Sequence, residues 1–188
     1  MVQSNTVANQ LQNTLGVDPL IAGIVIASAA GLVIIGGVKR IGTFATALVP
    51  TMALIYLISA ITIVLMNIHL VPQAFSTIFD HAFNGTAATG GFAGATVLMA
   101  IRFGIARGVF SNEAGLGSAP IAHAAAKTNS PVKQGTIAML GTFFDTIIIC
   151  SLTALVIIIS GQWVSGDNGA VLTSNAFVFG LPVIGETI

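Results

Sequence analysis

Of 188 residues, 55% are hydrophobic and only 6% charged, six Lys/Arg balance six Asp/Glu, and the mean hydropathy is +0.97. A soluble domain carries about 25% charged residues, so this chain cannot cover a water-facing surface and is expected to be an integral, all-α, polytopic membrane protein. The scattered basic residues exclude a nucleic-acid surface, and a single cysteine, Cys150, excludes an internal disulfide.

Residues 1–16 are polar and uncharged, without the basic start and apolar run of a signal peptide. Asp18-Pro19 reads as an N-cap followed by proline at the first helical position. The uncharged run 19–38 has the length of one membrane span, with Gly23, Ala27 and Gly31 forming a stripe for close helix contact. Lys39 and Arg40 close it. A second span follows over 42–66, with Pro50 expected to kink it and free a carbonyl near Thr46. Residues 72–83 are too few to span; Phe75, Ile78, Phe79 and Phe83 at helical spacing predict an interfacial helix. Asn84-Gly85 is a turn, and Gly90-Gly91 leads into the next helix.

Residues 93–126 form the stretch that departs most from a simple span. As one helix they would be roughly 50 Å long, against a hydrocarbon core of about 30 Å. Arg102 and Arg107 interrupt the apolar run, and Gly108, Ser111, Asn112, Glu113, Gly115 and Gly117 follow before an Ala-rich helix resumes. A discontinuous helix is predicted here, of the kind that frees backbone groups to bind substrates and ions in transporters. Residues 127–133 form a polar loop, with Ser130 capping a span over 134–160 that holds one charge, Asp145. Residues 161–169 make a loop with Trp163 as an interface anchor. Residues 170–188, broken by Gly180, Pro182 and Gly185, read as a partial or re-entrant segment. Lys39, Arg40, Lys127 and Lys133 fall after the first and third spans, so those loops are expected to be cytoplasmic and both chain ends external.

Gly104 and Gly108 form a GxxxG pair, which suits helix packing. If unwinding begins near Gly104, then Phe103, Gly104, Ile105, Arg107, Gly108 and Phe110 line a substrate site, where half-helix ends suit a carboxylate or a cation. The two arginines otherwise pair with Glu113 or Asp145. Asp145, with Thr142, Thr146, Cys150 and Thr153 at spacings of three, four and seven, makes a polar stripe. An intramembrane carboxylate points to cation or proton coupling, or to a buried pairing with an arginine or threonine. Asn112 and Glu113 join Thr142, Asp145 and Thr146 as the ion-coupling candidates. Cys150 itself reads as a small buried hydrophobe. His69, His81 and His123 are too dispersed for a zinc site, and no nucleophile–base set or phosphate loop is present, so no enzyme, resident metal or cofactor is expected.

The run GVFSNEAGLGSAPIAHAAAKT at 108–128, with PVKQGTIAMLGTFFDT at 131–146, GLVIIGGVKRI at 31–41, MVQSNTVA at 1–8 and GAVLTSNAF at 169–177, resembles the sodium:alanine (amino acid:cation) symporter family. The resemblance implies part of a LeuT-type inverted-repeat transporter, in which 93–126 is the sixth core helix and 134–160 the seventh. It also implies Na⁺-coupled uptake of alanine or glycine, with H⁺ the alternative ion, in a prokaryotic plasma (inner) membrane. The chain is then the central part of a longer transporter, its partners being the lipid bilayer, a small neutral amino acid and the missing N- and C-terminal helices. The alternative is a non-transporting membrane subunit or an inactive truncated product. One departure from the family pattern is Thr46-Ala47, where an acid usually precedes LVP.

Topology is tested with Ser76→Cys and Ser130→Cys and a membrane-impermeant thiol reagent added outside. Modification at 76 alone is expected; modification at 130 alone reverses the orientation.

Overall fold

The computed structural model describes residues 2–83, 93–112, 117–167 and 169–181, and every regular element among them is helical. The chain divides into two compact units, residues 1–66 with 156–188, and residues 67–155.

In the first unit, α1 (Val2–Leu15) is followed by Gly16 at φ +67°, a left-handed turn that glycine adopts without strain. Asp18 accepts the N–H of Leu20 at 2.8 Å and Pro19 takes the first position of α2 (Pro19–Ile34). The turn at Ile35-Gly36, with Gly37 at φ +72°, starts α3 (Gly37–Met66) at once. The helix expected over 19–38 therefore ends four residues early, and Lys39 and Arg40 sit in the first turn of α3, not in a loop. The 30 residues of α3 measure roughly 45 Å. That length lets its basic first turn stand clear of a hydrocarbon core of about 30 Å. The helix continues through Pro50.

Hydroxyls in these apolar helices satisfy themselves. Ser28, Thr43, Thr46, Thr51, Ser59 and Thr62 each donate to the carbonyl four residues back, at 2.7 to 3.2 Å. A polar group bonded in this way can face hydrocarbon without an unpaired donor. Many large apolar side chains of α2 and α3, among them Leu20, Val25, Leu54, Ile58 and Leu65, are exposed on the chain.

The core of this unit lies where α9 (Gly169–Gly180) meets α3. Ala60 and Ile63 of α3 are fully buried, as are Ala176 and Val156, with Phe177 beside them. The Tyr56 and Phe177 rings meet at 5.1 Å. Small residues permit the close approach. Gln10 of α1 donates to Ser174 at 3.0 Å, and Asn175 to Asp167 at 3.0 Å. Residues 182–188, with Pro182 and Gly185, lie outside the described residues, so α9 is the described part of the segment expected over 170–188.

In the second unit, a 3₁₀ turn (Ile68–Leu70) leads into α4 (Val71–Phe83), where the amphipathic helix was expected. Phe75 and Phe79 are exposed, and Ser76 donates to Asp80 at 3.1 Å. The turn expected at Asn84-Gly85, and Gly90-Gly91 before the next helix, lie outside the described residues. Next come α5 (Ala93–Ser111), the short α6 (Ser118–Ala124) and α7 (Pro131–Phe143), capped by Ser130, which accepts the Lys133 N–H at 3.3 Å. Lys133 thus belongs to the first turn of α7. A π-helical stretch (Phe144–Cys150) continues into α8 (Ser151–Ile159). Two helical runs among the described residues are long and apolar enough to cross a membrane, Gly37–Met66 and Pro131–Ile159.

Gly180 marks the tightest contact in the first core. A Cβ there would lie 2.6 Å from Cγ1 of Ile63, which is itself 0% exposed and cannot move aside. Gly180→Ala is expected to cost about 1–3 kcal/mol, the range for overpacking, read as a lower unfolding midpoint in detergent. Combining it with Ile63→Ala should cost less than the sum of the two single changes; additive losses would refute the contact.

Candidate functional site

The predicted break begins later than Gly104. α5 keeps helical bonding through Gly104 and Gly108 to Ser111; Asn112 occupies a turn, and Gly117, at φ +83°, precedes α6. Two glycines cost such a helix only about 1 kcal/mol each relative to alanine. The chain leaves the helix where Ser111 and Asn112 offer competing side-chain bonds, and Gly117 takes a left-handed conformation. Gly104, Ile105, Gly108 and Phe110 thus sit on a regular, exposed helix, and a Cβ on either glycine would meet nothing within 4 Å. The side chains of Phe103 and Arg107, and the whole of Glu113, lie outside the described residues. Arg102 is exposed.

The ion-coupling candidates are brought together more closely. Ser111 Oγ donates to Asp145 Oδ2 at 2.5 Å, and Thr146 Oγ1 donates to Asn112 Oδ1 at 3.0 Å. Asn112 in turn donates through Nδ2 to the Gly108 carbonyl at 3.1 Å. Two consecutive residues at the end of α5 therefore grip two consecutive residues on the other helical run. Asp145 and Thr146 both belong to the π-helical stretch, where i→i+5 bonding widens the turn; such stretches recur at functional sites. The stretch also breaks the expected stripe: Thr153 donates to its own Ile149 carbonyl at 2.7 Å, and Cys150 is exposed, not buried.

Around these contacts opens a cavity of about 440 Å³, whose lining includes Ser111, Asn112, His123, Thr142 and Asp145. Its chemistry is one half-buried carboxylate among hydroxyl and amide oxygens. The C-terminal end of α5 adds the partial negative charge of its last carbonyls. Hard oxygen donors beside a carboxylate suit a small hard cation or a proton. Ser111 and His123 were not among the candidates. Ser111 carried a signal, since it precedes Asn112 in the polar cluster. His123 carried none in spacing, because its contact with Gln134 of α7, at 2.7 Å, joins two separate helices. No His/Cys/Asp/Glu group able to hold a metal ion occurs among the described residues.

The sequence profile of the sodium:alanine symporter family matches residues 1–188. An uncharacterized transporter of Haemophilus influenzae is 48% identical over 188 residues, covering 99% of this chain and 41% of that protein. The sodium/alanine symporter AgcS of Methanococcus maripaludis is 48% identical over 189 residues, covering 98% and 41%. A sodium/proton-dependent alanine carrier protein of Bacillus sp. strain PS3 is 38% identical over 162 residues, covering 86% and 36%. The chain spans about two fifths of the length of these curated relatives.

The grip between α5 and the π-helical stretch is tested with Asn112→Ala and Thr146→Val. Each is expected to lower stability by about 1 kcal/mol, the worth of a typical hydrogen bond, read as an apparent unfolding midpoint. The double variant should lose no more than the larger single loss; full additivity would show that the bond does not form in solution.

Proposed function

Because the chain belongs to the sodium:alanine symporter family, a family of transporters and not of enzymes, we propose that it forms part of a longer transporter for small neutral amino acids such as alanine or glycine. Transport is coupled to a cation, Na⁺ in the first instance with H⁺ the alternative, in a prokaryotic plasma membrane and on a LeuT-type fold. The ion is cargo, not a resident cofactor. The observation that carries the coupling role is the Asp145 carboxylate held against the end of α5 by Ser111.

In this reading the cation enters the cavity and meets Asp145 together with oxygens of Ser111, Asn112, Thr142 and Thr146. The Ser111 hydroxyl, which donates to the carboxylate, turns a lone pair toward the ion. Neutralising the carboxylate changes the bonds between α5 and the π-helical stretch, so occupancy of the ion site alters the helix that carries Phe103, Gly104, Ile105, Arg107, Gly108 and Phe110. These six residues are proposed to border the amino acid, with Gly104 and Gly108 allowing its polar groups to approach the backbone, and Glu113 is kept as an ion-coupling candidate. Family membership and the two long apolar runs support a membrane setting.

The test is alanine binding and uptake by the intact transporter in liposomes across Na⁺ concentrations and pH. Asp145→Asn is expected to leave alanine recognition in place and to change the cation dependence of uptake. Gly104→Leu should weaken alanine binding about tenfold to a hundredfold, equivalent to about 1–3 kcal/mol. Unchanged Na⁺ and pH dependence in Asp145→Asn removes the coupling role; unchanged affinity in Gly104→Leu removes the pocket. Uptake by neither variant nor parent would favour a non-transporting subunit.

A further inference from the structure

A π-helical turn absorbs an extra residue within a helical run, here at Phe144–Cys150 between α7 and α8. Backbone bonding does not tie that residue to one place, since a widened turn moved along the run leaves the same number of backbone bonds. If it moves toward α7, each residue it passes takes the place of its predecessor, a turn of about 100° and a shift of about 1.5 Å. Gly141 lies in the segment that would then hold the widened turn, and glycine bends with little steric cost. The side chains that tie the turn to its present position reach outside the run: Ser111 donates to Asp145, and Thr146 donates to Asn112. No residue of the stretch is buried, so no packed core opposes the movement.

The sequence around the stretch fits such a slip. Residues 143–150 read FFDTIIIC. One step puts Phe144 in the place of Phe143, Ile148 in that of Ile147 and Ile149 in that of Ile148, so like replaces like on both sides. The change falls on the two gripped positions between them: Thr146 comes to stand opposite Ser111, and Ile147 opposite Asn112. We propose that the π-helical stretch is a one-residue register switch, which exchanges Asp145 for Thr146 opposite Ser111 and so withdraws the carboxylate from the cavity. Asp145 passes to the place of Phe144, which is exposed on the chain. Asn112 keeps its bond to the Gly108 carbonyl and loses only the one to Thr146. Asp145 is the carboxylate among the cavity's lining residues, so the slip releases a bound cation; that last step alone rests on the reading of the cavity as a cation site. Helix register shifts belong to the microsecond-to-millisecond motions, fast enough for a step in transport.

The experiment uses the intact transporter in nanodiscs and two single-residue deletions that each remove the extra residue. Deleting Ile148 keeps Asp145 opposite Ser111; deleting Phe143 lets Phe144 take its place and sets Thr146 there permanently. Register is read by disulfide formation between Asn112→Cys and Ile147→Cys, with Cys150→Ser, because Ile147 faces position 112 only after the slip. Relative to the full-length chain, crosslinking should fall about tenfold without Ile148 and rise severalfold without Phe143. With residues 112, 147 and 150 unchanged, the Ile148 deletion should bind Na⁺ but lose uptake, and the Phe143 deletion should lose Na⁺ binding. A second measurement needs no deletion: in the parent, saturating Na⁺ should slow amide hydrogen exchange over residues 138–150 by about tenfold, since a ligand that prefers one register depopulates the other. Equal crosslinking in the three backgrounds overturns the inference, as does exchange that Na⁺ leaves unchanged in a parent that binds it. Crosslinking that follows the two deletions in a transporter that binds no Na⁺ supports the switch and overturns the cation-site reading instead.

Discussion

The contact between the end of α5 and the π-helical stretch governs what the second unit can do. Ser111 and Asn112 each spend a side-chain bond on a residue more than thirty positions ahead, Asp145 and Thr146. Asn112 also returns a bond to the last turn of α5 through the Gly108 carbonyl. The carboxylate is thereby held at the point where α5 stops making its own backbone bonds. A helix end supplies partial negative charge there, and a charge inside an otherwise apolar helical run is costly unless something answers it. An incoming cation answers both. Charge, helix end and widened turn coincide at one position, which is the physical basis for reading it as a site.

The first unit follows a different constraint. Its side chains carry almost no charge, so association between helices depends on how closely their backbones approach. Ala60 on α3 and Ala176 on α9 allow that approach, Ile63 fills the space beside Gly180, and Tyr56 meets Phe177 at the rim. Most other large apolar side chains of α2 and α3 remain exposed on the chain. Such a surface fits lipid or further helices, in keeping with curated relatives that are more than twice as long.

Serine and threonine reconcile these helices with an apolar setting. Most donate to the carbonyl four residues back within their own helix, from Ser28 in α2 to Thr136 in α7. The hydroxyls that break this habit are informative. Ser111 and Thr146, at the candidate site, reach to other side chains, as do Ser76 and Ser165 elsewhere.

Much of this was legible in the sequence, because its causes are local. Six per cent charge fixes the class. Asp18-Pro19 and Ser130-Pro131 set two helix starts, since a side-chain oxygen and a proline ring act within a few residues. The polar cluster after Phe110 marks where a long helix ends, and Asp145 stands out as a lone acid in an apolar run. Other features depended on tertiary structure. The continuation of α5 through Gly104 and Gly108 was decided by backbone bonding that two glycines do not outweigh, and the tight turn at Gly36-Gly37 moved Lys39 and Arg40 onto α3. The π-helical register over Phe144–Cys150 carries no periodic signature, so a stripe drawn at α-helical spacing misplaced Cys150. Nor does sequence spacing bring His123 to Gln134 or Ser111 to Asp145; each pair joins side chains of different helices, and contact between helices is a property of the folded backbone.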